Sequence, residues 1–545
     1  MVEGAPADKL AAAAREARAC LQRRPAAWWL LPAGAVILVV LRARYGIANI
    51  IEDSWMMLAI ARNLALGHGL VFNVGERVLS TCTPLYAVLL GTLGLVSGPD
   101  SIPWLAVYGN IIFDLCSFWV LYRWISTATE SRGLGILCAW LFALDQRVIE
   151  YSTGAKDTAP YIFLILAALR AFQQRRTVWI GILNGLAVAV RPDGCLLSLA
   201  ILPFMAWRDR RWPWRTMLVT MAIVLSYVAV IFWYYGSPIP QPVMGLQHIP
   251  RLQHGRWHIA ILFAAQPALA LYGRAFFLLW HRWSWSPATQ TAFHFVLFML
   301  QAGLCAWAAW RLAQRDPSIA LSAFFAFLHV SFFILGNPVM YGWYEVPLEP
   351  LWTTGLAGAY WLLCRRGPRF AAALCGLGLV TAQCLHIAWA GDPRTLRLLA
   401  DHWDRSREQA IERACHAIQA NGIRPSDTVL TPLVGSPRWH LNARVLDTWG
   451  IVYPEVLRYQ VRDAPEHWPQ HPAFSPEFVL DAKPRYLIVT DHPFAEIYRQ
   501  DSRFLRTYRL LYNERLPTSP FRNRLRQPTK PFWLQVYVRK EDPTP

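Results

Sequence analysis

Long apolar runs alternate with short basic stretches through the first two thirds of this chain, and the pattern stops near residue 392. Trp28–Leu41, Met217–Trp233 and Phe370–Ala390 are almost uninterrupted apolar segments. A helix crossing the hydrocarbon core needs about 20 such residues, and several runs of this kind are more than one signal peptide accounts for. The basic clusters fall between them: Arg23/Arg24, Arg170/Arg175/Arg176, Arg208/Arg210/Arg211/Arg215, Arg311/Arg315 and Arg365/Arg366/Arg369. If all of these lie in the cytoplasm, spans follow at 158–171, 178–190, 194–207, 216–234, 289–311, 318–336, 349–363 and 369–390. The N-terminus is then inside and the region after 392 outside. Arg42 and Arg44 strain this topology, because they follow the first span on the outer side. So does parity. Three runs, 83–97, 103–122 and 134–144, stand where an even number is needed; 134–144 is too short to span and reads as a half-helix. The run 258–280 has the same difficulty and reads as interfacial.

Beyond 392 the periodicity changes. Residues 396–421 mix charged and apolar positions at helical spacing and stop before Gly422. Short β-rich runs follow at 428–433, 444–449, 485–490 and 533–538. The expected architecture is a polytopic α-helical membrane protein of about 11 to 13 membrane helices with a C-terminal soluble α/β domain. Its divisions are a cytoplasmic tail 1–26, a transmembrane part 27–391 and an extracytoplasmic part 392–545.

Composition agrees. Only 16% of residues are charged and 55% are hydrophobic, against about 25% charged in an ordinary soluble domain. The net charge of +18 reflects arginines between apolar runs, not one basic face, so nucleic acid is not an expected partner. The ten cysteines form no CxxC pair, and the C-terminal region holds only Cys415. That excludes a disulfide within it. No GxxxxGK[ST] loop is present, which disfavours an ATP-driven pump. His467 and His471 flank Pro469 and make a poor helical metal pair.

The outer segments hold the unusual polar residues: the loop 44–82, the stretch around Asp157, the turn Arg191–Gly194, the loop from Tyr235 and the loop 337–348. Glu52 and Asp53 follow the first span directly. A carboxylate beside a membrane is costly to desolvate and marks a functional position; Asp53 also suits the N-terminus of a helix 54–66. A carboxylate there can take a proton from an acceptor hydroxyl. Arg62, about two and a half turns on, can grip a phosphate or form a surface ion pair.

Glu52-Asp53-Ser54-Trp55, Ala61-Arg62-Asn63, Gly67-His68-Gly69-Leu70-Val71-Phe72-Asn73, Gly75-Glu76-Arg77-Val78 and Thr83-Pro84-Leu85 together resemble the first outer loop of the GT-C class. These are integral-membrane glycosyltransferases using polyprenyl-phosphate sugars, and the nearest branch includes the mycobacterial terminal arabinofuranosyltransferase. That branch opens with two aspartates; here the first is Glu52. Gly154-Ala155-Lys156-Asp157-Thr158 resembles its Gly-Leu-Glu-Thr stretch with one extra residue. Ala189-Val190-Arg191-Pro192-Asp193-Gly194 resembles its Arg-Pro-Asp-Gly turn. Tyr234-Tyr235-Gly236 with Pro240, Trp343-Tyr344-Glu345-Val346-Pro347, Arg444-Val445-Leu446-Asp447-Thr448-Trp449-Gly450 and Pro484-Arg485-Tyr486 are similar in kind.

The resemblance implies a sugar transferase of the bacterial cytoplasmic membrane, inverting by single displacement. Asp53 would be general base, with Glu52 and Asp157 as further catalytic acids. Arg62, Glu76, Arg77, Arg191, Asp193, Trp343 and Tyr344 would bind substrate. The partners implied are a polyprenyl-phosphate sugar, a glycan, lipid or protein acceptor, and membrane lipids. Asp53 and Asp157 would be the ligands of a divalent cation, Mg or Mn, if one is used; members of the class differ. The competing reading is a transporter or flippase of lipid-linked sugars, against which stand acids in outer loops and the lack of a repeat. A membrane scaffold with an outer sensing domain is a third.

Overall fold

A computed structural model of the chain describes residues 27–44, 46–247, 287–336, 342–365, 378, 400–459, 476–490, 501–516 and 532–540. The expected runs 258–280 and, but for residue 378, 369–390, the residues His467 and His471, and positions 337–341 of the expected outer loop lie outside the described residues.

The helices begin with α1 (Ala27–Ala43), α2 (Glu52–Ala65), α3 (Pro84–Ser97), α4 (Ile102–Thr129), α5 (Arg132–Ala143) and α6 (Gln146–Thr153). Next come α7 (Thr158–Gln173), α8 (Thr177–Val190), α9 (Cys195–Asp209), α10 (Trp214–Tyr235) and α11 (Gln241–Gln247). The last of the apolar part are α12 (Pro287–Ala313), α13 (Pro317–Gly336) and α14 (Glu349–Cys364). By length and composition, 99–129, 214–235 and 317–336 are each long and apolar enough to cross a membrane. Shorter apolar helices pack around them, and the whole is a polytopic α-helical membrane protein. Leu218, Leu225 and Trp233 on α10 stand exposed, which in a water-soluble protein would be an aggregation face and here is a lipid-facing one.

The segment 134–144 is indeed a short helix, α5, and is largely buried. Arg42 is not a topology signal. Its side chain is fully buried, its Nε donates to Asp114 on α4, and its Nη1 donates to the Ala143 carbonyl at 3.0 Å. A cation neutralised inside the protein has no claim on either side of a membrane. Close approach of α8 and α10 rests on Gly181 and Gly185, one turn apart. A Cβ on them would stand 2.8 Å from the Thr216 carbonyl oxygen and 2.7 Å from the Ile223 Cβ.

The C-terminal part contains α15 (Ala400–Ala420), β1 (Thr428–Leu430), α16 (Gly435–His440), β2 (Arg444–Leu446), α17 (Pro476–Ala482), β3 (Tyr486–Thr490), α18 (Ser502–Thr507), β4 (Tyr508–Leu516) and β5 (Phe532–Arg539). The strands form one sheet in the order β2-β1-β3-β5-β4. β1 pairs parallel with β2 and β3; β5 pairs antiparallel with β3 and β4. α15 covers β4 and β5.

This domain sits on the segment 44–82 that follows α1. Gly435 opens α16 against the start of α2, where a Cβ would stand 2.2 Å from the Glu52 carbonyl oxygen and 2.5 Å from the Met56 nitrogen. Only glycine allows two backbones that close.

Candidate active site

α2 begins at Glu52, two residues earlier than the sequence suggests, and Ile51 is its N-cap with no side-chain cap bond. Asp53 therefore does not cap the helix. It lies in the first turn, where a carboxylate suits the helix dipole, with its side chain 43% exposed. Glu52, one position earlier, points about 100° away around the helix and is buried.

Asp53 opens onto a cavity of about 430 Å³. Asp157, Arg191, Asp193, Trp343 and Tyr344 line the same cavity, so six of the ten expected site residues converge. The cavity joins two kinds of wall. Phe332, Phe333 and Gly336 come from the end of the apolar span α13, and Ile451 comes from the soluble domain.

The Arg-Pro-Asp-Gly turn is a rigid ion cluster. Arg191 Nε donates to Asp193 Oδ1 at 2.9 Å and its Nη2 to Asp193 Oδ2 at 3.2 Å. Its Nη1 donates to the Trp343 carbonyl at 3.1 Å and lies 3.6 Å from Asp157 Oδ2. Tyr161 and Tyr344 present ring faces to the guanidinium. Gly194 is needed because a Cβ there would lie 2.3 Å from the Ala187 carbonyl. Arg191 thus ties the α8–α9 turn to Asp157 and to the loop 342–344. That loop is held from its other side: Arg147 Nη1 donates to Glu345 at 2.7 Å.

The stretch before Asp157 brings in residues that the sequence did not single out. α6 ends at Thr153 with Gly154 as its C-cap, and Ala155 takes a left-handed conformation with φ 56°, a strained state of a kind that clusters at functional sites. Asn110, on α4, donates to the carbonyls of Ser152 at 2.9 Å and Lys156 at 2.8 Å. Its Oδ1 accepts from Tyr86 at 2.8 Å. The turn brings the Lys156 Nζ to 3.4 Å from Asp53 Oδ2 and 3.9 Å from the centroid of the Trp343 ring. The one extra residue in Gly154-Ala155-Lys156-Asp157 was the available signal.

Four expected site residues are drawn elsewhere. The Glu52 carboxylate accepts from the Gly435 N–H at 2.5 Å and the Ser436 N–H at 3.3 Å; burial raises its pKa to about 7, partly opposed by the Gly435 hydrogen bond. Arg62 donates to the Trp439 carbonyl at 2.9 Å and to Asp100 at 2.7 Å, and stacks on Trp439. Glu76 accepts from Arg444 at 2.5 Å. Arg77 lies over the Tyr234 ring. None of the four lines the cavity. The soluble domain offers backbone donors, an aromatic face and an arginine to Glu52, Arg62 and Glu76, so these side chains serve docking.

Docking also builds the cavity wall. Asp447 accepts from the amides of Trp449, Ile451, Val452 and Tyr453, a turn that delivers Ile451 to the cavity. Burial raises the Asp447 pKa to about 6. Gln241 completes the seam, its Nε2 donating to the Gly450 carbonyl at 3.0 Å.

Among the described residues no group of three or more His, Cys, Asp or Glu comes together in a way that could hold a metal. Asp53 and Asp157, the expected pair of ligands, each face a protein cation. This donor set does not fit a bound Mg or Mn ion.

No family model matches the chain. Over 219 residues it is 25% identical to the terminal beta-(1->2)-arabinofuranosyltransferase of Mycobacterium tuberculosis, a match covering 36% of this chain and 34% of that one. The chain thus spans about a third of the length of that curated relative. ArnT from Cupriavidus metallidurans, in its crystal structure bound to undecaprenyl phosphate, superposes with a TM-score of 0.55 at 11% identity, over 94% of this chain and 98% of that one. Its apo state gives 0.54 at 12%, with the same coverage. The Archaeoglobus fulgidus oligosaccharyltransferase gives 0.51 at 14%, over 87% and 71%. The chain has the GT-C fold. Here the segment 44–82, the 154–157 turn and the Arg191–Gly194 turn meet at one cavity, between an apolar span and the C-terminal domain.

Proposed function

We propose that this protein transfers a sugar from a polyprenyl-phosphate donor to a hydroxyl acceptor, on the non-cytoplasmic face of the bacterial inner membrane. The observation that carries the reading is the cavity around Asp53. An open carboxylate, a fixed guanidinium and the end of an apolar span share one space, and a lipid tail, a phosphate and a sugar need those three surfaces. The ArnT structure with undecaprenyl phosphate, at a similar fold, supports a lipid-phosphate donor.

The reaction is a single displacement. Asp53 takes the proton of the acceptor hydroxyl as its oxygen bonds to the anomeric carbon. The bond from that carbon to the phosphate oxygen breaks, and its electron pair leaves on the lipid phosphate. Inversion follows from attack opposite the leaving group. Arg191, held by Asp193 and Asp157, is positive charge organised before the reaction and needs no rearrangement when the leaving anion forms. Trp343 and Tyr344 line the part of the cavity the sugar would enter.

The test is incubation of the purified chain with a panel of polyprenyl-phosphate sugars and measurement of released polyprenyl phosphate. Release that Asp53→Asn abolishes, with folding intact, is the expected result. Release from none of the panel, or undiminished release by the variant, would defeat the proposal.

A further inference from the structure

Two cations line the Asp53 cavity among the described residues, and they are held differently. Arg191 is committed: Nε and Nη2 to Asp193, Nη1 to the Trp343 carbonyl. These bonds hold it in place, so toward a substrate it acts through its fixed positive charge. Lys156 has Asp53 at 3.4 Å, the long end of a hydrogen bond, and the face of Trp343 at 3.9 Å. Neither contact fixes a direction. An ammonium on a flexible stem carries three donors and can change partners. Its backbone, in contrast, is fixed by the Asn110 bonds to Ser152 and Lys156 and by the left-handed Ala155. The fold therefore holds a strained turn that brings a buried ammonium, on a residue 8% exposed, to the base.

We propose that Lys156 is the cation that receives the donor's lipid phosphate, in the place a divalent ion would otherwise take beside Asp53. This rests on the sugar-transfer reading above. In the empty site the ammonium pairs with Asp53. When the donor enters, a phosphate oxygen replaces Asp53 as its partner, and the carboxylate is released to face the acceptor hydroxyl. The base is thus set free by the arrival of the donor. As the anomeric carbon–oxygen bond breaks, the electron pair moves to the phosphate oxygen, where charge grows and the Lys156 hydrogen bond strengthens. Lys156 neither gains nor loses a proton. The Trp343 ring keeps the ammonium near the cavity during the exchange of partners.

The experiment measures binding of undecaprenyl phosphate to the full-length chain in detergent, with and without a chelator, and with Mn added. Undecaprenol, which has the tail and no phosphate, is the control ligand. The wild type is expected to bind undecaprenyl phosphate equally under all three conditions. Lys156→Met is expected to bind it about tenfold more weakly or worse, the loss for one hydrogen bond to a charged group. Lys156→Arg should retain most of the affinity, and undecaprenol should bind all three proteins alike. Thermal unfolding checks that each variant is folded, and Lys156→Gln replaces the methionine variant if that one is not. A wild type that binds no undecaprenyl phosphate defeats the sugar-transfer reading itself. Tight binding by a folded neutral variant overturns the assignment of Lys156 alone. So does an equal loss of undecaprenol, which would make the residue structural. A wild-type affinity that collapses with chelator returns the role to a metal.

Discussion

Gly435→Ala tests the seam between the C-terminal domain and the start of α2. The added methyl would lie 2.2 Å from the Glu52 carbonyl oxygen and 2.5 Å from the Met56 nitrogen. Both atoms are backbone, in a buried helical turn, so neither can step aside. The two elements must separate by roughly 1 Å, an overpacking that costs about 1–3 kcal/mol. Separation also stretches the bonds from the Gly435 and Ser436 amides to the Glu52 carboxylate; a hydrogen bond to a charged group is worth about 1.5–3 kcal/mol. Taken together, without assuming additivity, docking should weaken by about 2–5 kcal/mol, raising the undocked population some thirtyfold or more. Hydrogen exchange reads this directly, because the Gly435 and Ser436 amides depend on docking for their bonds. Exchange in the peptide 431–441 should accelerate by the same factor. Gly109→Ala is the control, since a Cβ there meets nothing within 4 Å. A folded Gly435→Ala protein whose peptide stays as protected as the wild type would refute the account of the interface.

Further expectations concern the same loop and its neighbours. Glu52 has its pKa raised from 4.5 to about 7 by burial, so its contribution to stability is fully present below about pH 4.5 and is lost as pH rises through about 7. This is worth on the order of 3 kcal/mol, and the melting temperature of the wild type should fall relative to Glu52→Gln between those pH values; parallel profiles would contradict it. Asp53→Asn should lower turnover by about 10²–10⁴-fold, the usual share of a general base, with an unchanged melting temperature; a loss of folding instead would make Asp53 structural. Asn110→Ala leaves two buried carbonyls without their donor and should cost about 1–3 kcal/mol, seen as a lower melting temperature together with weaker binding of lipid phosphate. Arg62→Ala should leave the affinity for undecaprenyl phosphate unchanged and loosen the Trp439 segment to exchange; a large loss of lipid-phosphate affinity would return Arg62 to the donor site.

Much of the architecture was legible from one dimension. A span is declared by composition over about 20 residues, so seven of the eight outlined segments have counterparts within two residues at each end, from 158–173 to 349–364, and the eighth lies outside the described residues. The convergence of Asp53, Asp157, Arg191, Asp193, Trp343 and Tyr344 was also foreseeable, because arginine clusters assigned their loops to one face. What a chain cannot show by itself is which of two adjacent side chains faces a cavity and which a partner domain. Glu52 and Asp53 differ by one helical step, yet one binds the amides of Gly435 and Ser436 nearly four hundred residues away. Arg62, Glu76 and Arg77 carry the charges of a substrate site and are consumed by contacts with distant residues. Lys156 reads as one unremarked cation in a motif with an extra residue, until Asn110 and Ala155 turn it toward Asp53. Periodicity records local preference for lipid or water; the direction of a side chain is decided by whatever the fold brings opposite it.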